Sequence, residues 1–263
     1  MNVRSLLVGV IHLPPLVGSP SLTVKHTRDV ARAAAEEAKA LADAGFDACI
    51  VENYGDAPFL RGSVEAATVS AMTACAWSIR EAVPTLPLGI NVLRNDAVAA
   101  LSIAAVVDAE FIRVNVHAGA RVTDQGIIEG DAGRVLRLRK TLDAHKVHVW
   151  ADVDVKHSAP LAPLDLDQEV SDVVHRGGAS AVLVTGSGTG QAVDSAKLAR
   201  VKAKAGVPVY VASGATEANL APLMQVADGV IVGSALRKNG KAGGPIDPAI
   251  ASRFAKAFRA ARA

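Results

Sequence analysis

Eight times along the chain, a short β-branched run is followed by an Ala-rich stretch of helical period, and this alternation limits the fold more than any other feature. The runs are Leu6 to His12, Ala48 to Glu52, Leu88 to Val92, Phe111 to Val116, Val147 to Val153, Ala181 to Thr185, Val207 to Val211 and Gly229 to Val232. Each is too short for a helix. The spacing between them predicts helices over Thr27 to Ala44, Ser63 to Ala82, Asp96 to Val107, Ala132 to Ala144, Asp167 to Arg176, Asp194 to Ala205, Glu217 to Val226 and Asp247 to Ala261. Eight β-then-α units close most simply into a single (β/α)8 TIM barrel of the α/β class, and the 263 residues are close to that fold's usual length. An open doubly wound sheet would carry a glycine fingerprint after its first strand, where this chain has His12-Leu13-Pro14-Pro15. No linker or low-complexity segment interrupts the pattern, so one domain is expected over residues 1–263.

With 28 basic and 26 acidic residues spread along the chain, no field is strong enough to point to nucleic acid or to a membrane surface. The apolar run from Ser5 to Ile11 behind Arg4 is cut short by His12 and the proline pair, so it reads as a strand rather than a signal peptide. The uncharged stretch Ala66 to Ile79 is too short and too polar to insert into a membrane, and the expected location is cytoplasmic. Cys49 and Cys75 lie in apolar contexts that predict buried, reduced thiols. Helix two lacks charge between Glu65 and Arg80, and helix three is apolar on nearly every side. That composition predicts a homo-oligomer packed through helices two and three.

In a barrel, catalytic groups come from the ends of several strands, and phosphate is held beyond the last ones. Here strand six opens into Gly186-Ser187-Gly188-Thr189-Gly190, strand seven into Ser213-Gly214 and strand eight into Gly233-Ser234. Glycine lets backbone N–H groups approach an oxyanion and the hydroxyls add donors, so Gly186, Ser187, Gly188, Thr189, Ser213, Gly214, Gly233 and Ser234 form a candidate phosphate site. Arg237 and Lys238 read as a solvated edge beside it. Along strand five, polar and apolar residues alternate, which would put Asp152, Asp154 and Lys156 on one face. Lys156 is the candidate imine-former or proton carrier, and a salt bridge to Asp152 or Asp154 is the competing reading. Glu52 is the candidate general base; Asn91, Asn115, His117 and His12 complete a polar ring in which each could equally cap backbone. No residue spacing is specific to a metal, although Glu52, Asp152, Asp154 and His157 could hold a divalent cation. The segment His117 to Asp131 is a candidate lid, or a plain surface excursion.

Several strings extend beyond these generic features. They are Gly9-Val10-Ile11-His12-Leu13-Pro14-Pro15-Leu16, Val51-Glu52-Asn53-Tyr54-Gly55-Asp56-Ala57-Pro58-Phe59, Gly89-Ile90-Asn91-Val92-Leu93-Arg94-Asn95-Asp96, Ile112-Arg113-Val114-Asn115-Val116-His117, Thr123-Asp124-Gln125-Gly126-Ile127-Ile128-Glu129-Gly130, Asp154-Val155-Lys156-His157, Val184-Thr185-Gly186-Ser187-Gly188-Thr189-Gly190 and Val232-Gly233-Ser234. Together they resemble the BtpA/SgcQ family over nearly the whole chain. Asp154 stands where the resemblance leads one to expect His, and Val17 where it leads one to expect Pro. One branch of that family is named for photosystem I biogenesis and another lies among sugar-utilisation proteins, and the resemblance carries no established catalytic set. The expected function is a lyase, aldolase or isomerase acting on a small phosphorylated, sugar-like substrate, with no cofactor. The alternative is a non-enzymatic assembly factor.

Overall fold

The computed structural model describes residues 5–23, 26–186, 188 and 192–262. Eight parallel strands close a barrel: β1 (Leu6–His12), β2 (Ala48–Glu52), β3 (Leu88–Asn91), β4 (Phe111–Val114), β7 (His148–Val153), β9 (Ala181–Val184), β10 (Val209–Val211) and β11 (Gly229–Val232). Around the barrel they run in the order β1-β11-β10-β9-β7-β4-β3-β2. The remaining three, β5 (Ala120–Thr123), β6 (Gly126–Glu129) and β8 (Ser158–Pro160), form a small antiparallel sheet beyond the ends of β4 and β7. The candidate lid is therefore a β-hairpin pinned by a third strand.

Helices follow the barrel strands: α1 (Thr27–Ala44), α2 (Ala66–Ala82), α3 (Ala97–Val106), α4 (Ala132–Thr141), α5 (Leu166–Ser171, continued by a π-turn to Arg176), α6 (Ser195–Ala205), α7 (Leu220–Met224) and α8 (Pro248–Arg262). Several are shorter than their periodicity predicts, and ahead of α2 and α7 a side chain takes up backbone donors. Asp96 accepts from the Val64 N–H at 2.9 Å and delays α2, while Asn219 accepts from Thr216 at 2.7 Å and donates to Gly214 O at 2.8 Å ahead of α7.

The period of two sorts the strand residues into two cores. Leu7, Ile11, Cys49, Val51, Leu88 and Ile90 face the helices, whereas Val8, Val10, Ala48, Ile50, Phe111, Trp150, Leu183, Tyr210 and Ile231 fill the barrel. Trp150 stacks on Phe111 with ring centroids 3.7 Å apart and meets Tyr210 at 4.9 Å, which plugs the interior below the mouth. Gly89 makes room for this plug, since a Cβ there would lie 2.1 Å from Phe111 Cε2. Cys49 and Cys75 are both buried thiols, which burial pushes up to about 12. On α2 the outward stripe Ala67, Ser70, Ala74 and Trp77 is exposed, and Val106 is exposed at the end of α3. Among the described residues, no helix is long and apolar enough to cross a membrane.

Candidate functional site

The inward parity that fills the barrel carries polar residues one step higher, at the strand ends. His12, Glu52, Asn91, Arg113 and Asn115 emerge there into a cavity of about 540 Å3. At its centre Arg113, 5% exposed, donates to both oxygens of Asp152 at 3.0 and 3.1 Å and to Glu52 Oε1 at 3.2 Å. Asn91 donates to the same Glu52 oxygen at 2.9 Å, and Asn115 to Asp152 Oδ2 at 2.7 Å. Burial opposes the Arg113 charge, but the two carboxylates outweigh it and hold its pKa above the usual value. Composition and motif alone do not distinguish Arg113 from other basic residues of the chain. Its parity with Phe111 and Asn115 was the available signal, namely a charged side chain on the inward face of a buried strand.

Lys156 also lines the cavity, though not as a continuation of strand five. The chain leaves β7 after Val153 and turns through Asp154 with φ +45°, so Asp152 and Asp154 do not share a face. Asp154 instead accepts from Arg121 Nη2 at 2.5 Å and from Lys197 Nζ at 2.7 Å, outside the cavity lining, and these bonds help hold its carboxyl below the usual range against the opposing effect of burial. The Lys156 backbone is held by Thr185 Oγ1 at 3.1 Å. Among the described residues no carboxylate lies within 4.0 Å of its ammonium, so the competing salt bridge to Asp152 or Asp154 is not made. Burial first, then Arg113, pushes its pKa down to about 8.

His12 accepts from the Gly243 N–H at Nδ1, 3.1 Å away, which leaves Nε2 to carry the ring proton toward Glu52 Oε2 at 4.0 Å. Burial and the nearby Arg237, Lys156 and Arg113 lower its pKa well below 6.5. His117 lies elsewhere: it is buried, its Nε2 meets Gly177 O at 2.8 Å, and it does not line the cavity. Glu52, Asp152, Asp154 and His157 do not converge on a metal position, because Asp154 points away and Arg113 occupies the other two carboxylates. Among the described residues, no group of three or more His, Cys, Asp or Glu side chains is arranged to hold a metal ion.

The opposite wall is built from the ends of β10 and β11: Ser213, Gly214, Ala215, Gly233, Ser234 and Ala235. Ser213 Oγ accepts from the Gly186 N–H at 3.2 Å, tying the loop after β9 to it. Gly186 and Gly188 are not in the cavity lining, and Ser187 and Thr189 lie outside the described residues. Gly233 is required by packing, since a Cβ there would lie 2.9 Å from His12 Cε1. Arg237 is not a solvated edge: it is 4% exposed and donates to Gly233 O at 2.6 Å, Gly244 O at 3.0 Å and Val10 O at 3.2 Å. It braces this wall from behind. Lys238 is exposed, as expected. Arg94 and the aromatic rings of Tyr54 and Phe59 complete the lining, with Asp124 and Gln125 of the β5–β6 turn over the mouth.

The family model for the BtpA family matches residues 3–260. The chain belongs to the BtpA family. An uncharacterized protein of Methanocaldococcus jannaschii is 47% identical over 94% of this chain and 92% of its own length. The photosystem I biogenesis protein BtpA of Synechocystis is 45% identical over 96% of this chain and 87% of its own. Among solved structures, N-(5'-phosphoribosyl)anthranilate isomerase from Pyrococcus furiosus superposes with a TM-score of 0.56 at 16% identity, covering 97% and 99% of the two chains. The 3-keto-L-gulonate-6-phosphate decarboxylase of Vibrio cholerae gives 0.55 at 14%, covering 98% and 97%. At these identities the likeness is one of fold, so a function for this BtpA-family barrel has to be argued from its cavity.

Proposed function

We propose that this BtpA-family barrel is an enzyme of the lyase, aldolase or isomerase type acting on a small phosphorylated, sugar-like substrate. The observation that carries the reading is an amine with no carboxylate partner among the described residues and a pKa lowered to about 8, facing a wall of glycines and hydroxyls across one cavity. Near neutral pH a useful fraction of Lys156 is the free base, which attacks a substrate carbonyl; water leaves and a protonated imine remains. The imine nitrogen then accepts the electron pair released when a neighbouring C–C or C–H bond breaks. Glu52, with Oε2 toward the cavity and His12, takes up or returns the proton. Ser213, Gly214, Gly233 and Ser234 anchor the phosphate, and that binding energy holds the carbonyl at Lys156. The folds that this chain resembles include an isomerase named for a phosphoribosyl compound and a decarboxylase named for a 6-phosphate, and both names agree with the reading.

The test is borohydride trapping with a panel of keto- and aldo-sugar phosphates, followed by mass spectrometry. Reduction should add the substrate's mass at Lys156, and Lys156→Met should abolish both adduct and turnover. Turnover undiminished by Lys156→Met would overturn the mechanism.

The name of the Synechocystis relative favours a second reading, an assembly factor that uses the barrel as a scaffold. It predicts partner capture that survives substitutions in the cavity and is lost with substitutions on the outer helices. The exposed stripe of Ala67, Ala74 and Trp77 on α2, with Val106 of α3, is the proposed self-association surface in either case. Light scattering of Trp77→Glu, expected to give a smaller species, tests it.

A further inference from the structure

Arg94 and Lys156 face the cavity from the same side, and neither is neutralised there. Arg94 is 6% exposed, and its one hydrogen bond among the described residues runs from Nη2 to the Lys156 carbonyl at 2.9 Å. No carboxylate of the described residues lies within ion-pair distance of it. Asp152, Asp124 and Glu52 attract it from farther away, and burial pulls its pKa below the usual value. Of these, Glu52 and Asp152 are already bound to Arg113, and Asp124 belongs to the turn over the mouth and makes no ion pair with Arg94. A buried guanidinium without an anion is unfavourable, and folding alone gives no reason to keep one beside an unpaired lysine.

Asn115 gives an independent observation in the same place. It is 3% exposed and lines the cavity, and its amide nitrogen is committed to Asp152. Its Oδ1 is buried and has no hydrogen-bond partner. A buried carbonyl oxygen left open calls for a donor. An ammonium donor would be repelled by Arg94 and Lys156, whereas a hydroxyl would not.

We propose that the Arg94 side of the cavity is a subsite for a carboxylate whose neighbouring carbon bears a hydroxyl, the carboxylate on Arg94 and the hydroxyl on Asn115 Oδ1. The ligand class is then a phosphorylated hydroxy acid whose chain also carries the carbonyl that Lys156 attacks, with its phosphate on the Ser213 and Ser234 wall and its acid end beside Lys156. This rests on the phosphate reading above and narrows it.

The experiment is calorimetric titration at pH 7 with 6-phosphogluconate, its 2-deoxy analogue and glucitol 6-phosphate, which keeps the open chain and phosphate but lacks the carboxylate. The native protein should bind 6-phosphogluconate about tenfold or more tightly than glucitol 6-phosphate, as expected for a charge-assisted pair. Arg94→Gln should erase that preference by lowering 6-phosphogluconate affinity far more than glucitol 6-phosphate affinity, and Arg94→Lys should restore part of it. Asn115→Leu should erase the preference for 6-phosphogluconate over the 2-deoxy compound. Melting curves check that each variant is folded, and Arg94→Lys keeps the test open if the Gln variant is not. Equal affinity for all three ligands, or a carboxylate preference that survives Arg94→Gln, would overturn the subsite and leave the phosphate reading intact. Absence of binding by any of them would overturn both.

Discussion

Around one half of the barrel mouth, β2, β3, β4 and β7 present Glu52, Asn91, Arg113, Asn115 and Asp152, interlocked by hydrogen bonds. Around the other half, β10 and β11 end in Ser213, Gly214, Gly233 and Ser234, which place little more than backbone and hydroxyls against the cavity. The first half is rigid because each charge has a partner; the second is open because small side chains leave the backbone within reach of a ligand. Lys156 and Arg94 line the cavity on the charged half but make no ion pair within its network, and the ligand roles proposed for them rest on that separation.

Breaking the charged half should have the largest effect. Arg113→Met leaves Glu52 and Asp152 buried without their cation and is expected to destabilise the protein by about 3–5 kcal/mol in denaturant titration. The triple change Arg113→Met, Glu52→Gln, Asp152→Asn should recover much of that loss. If Arg113→Met proves harmless, the two halves do not differ as described.

Lys156→Met should move stability the other way. The folded pKa of about 8 lies below the unfolded value of 10.5, so the penalty for burying the charge is fully present below pH 8 and is relieved as pH rises toward 10.5. Removing the amine should stabilise the protein at pH 7 by on the order of 3 kcal/mol and flatten the rise in stability between pH 8 and 10.5. A melting series over that range reads both.

On the open half, Gly233→Ala pushes a methyl against the His12 ring. Its expected cost is about 1–3 kcal/mol, together with loss of phosphate-ligand binding in calorimetry. Asp154→Asn should do least. Its side chain is 47% exposed, so the change should cost about 1 kcal/mol or less and leave ligand affinity unchanged.

The barrel was legible because strand and helix periods are local properties. The eight β-then-α units appear where the alternation places them, with ends displaced where Asp96 and Asn219 capture backbone donors. Strand parity also explains why Glu52, Asn91 and Asn115 meet at the cavity. Parity failed at Asp154 because a single residue at positive φ turns the chain, so Lys156 reaches the cavity by a loop rather than along a strand. Arg113 and Arg94 escaped notice for another reason: their meaning depends on which partners surround them, and those partners come from other strands. His117 has the right parity, but the chain has left β4 by then and its ring turns to Gly177.

The proposed function requires one ligand to span both halves, with its phosphate on the open wall and its reacting carbon at Lys156. The most direct measurement is the shift in melting temperature with sugar phosphates for the native protein, Ser234→Asp and Lys156→Met. A rise is expected for the native protein and for Lys156→Met, and none for Ser234→Asp. A rise that persists in Ser234→Asp, or no rise in the native protein with any sugar phosphate, would contradict that requirement.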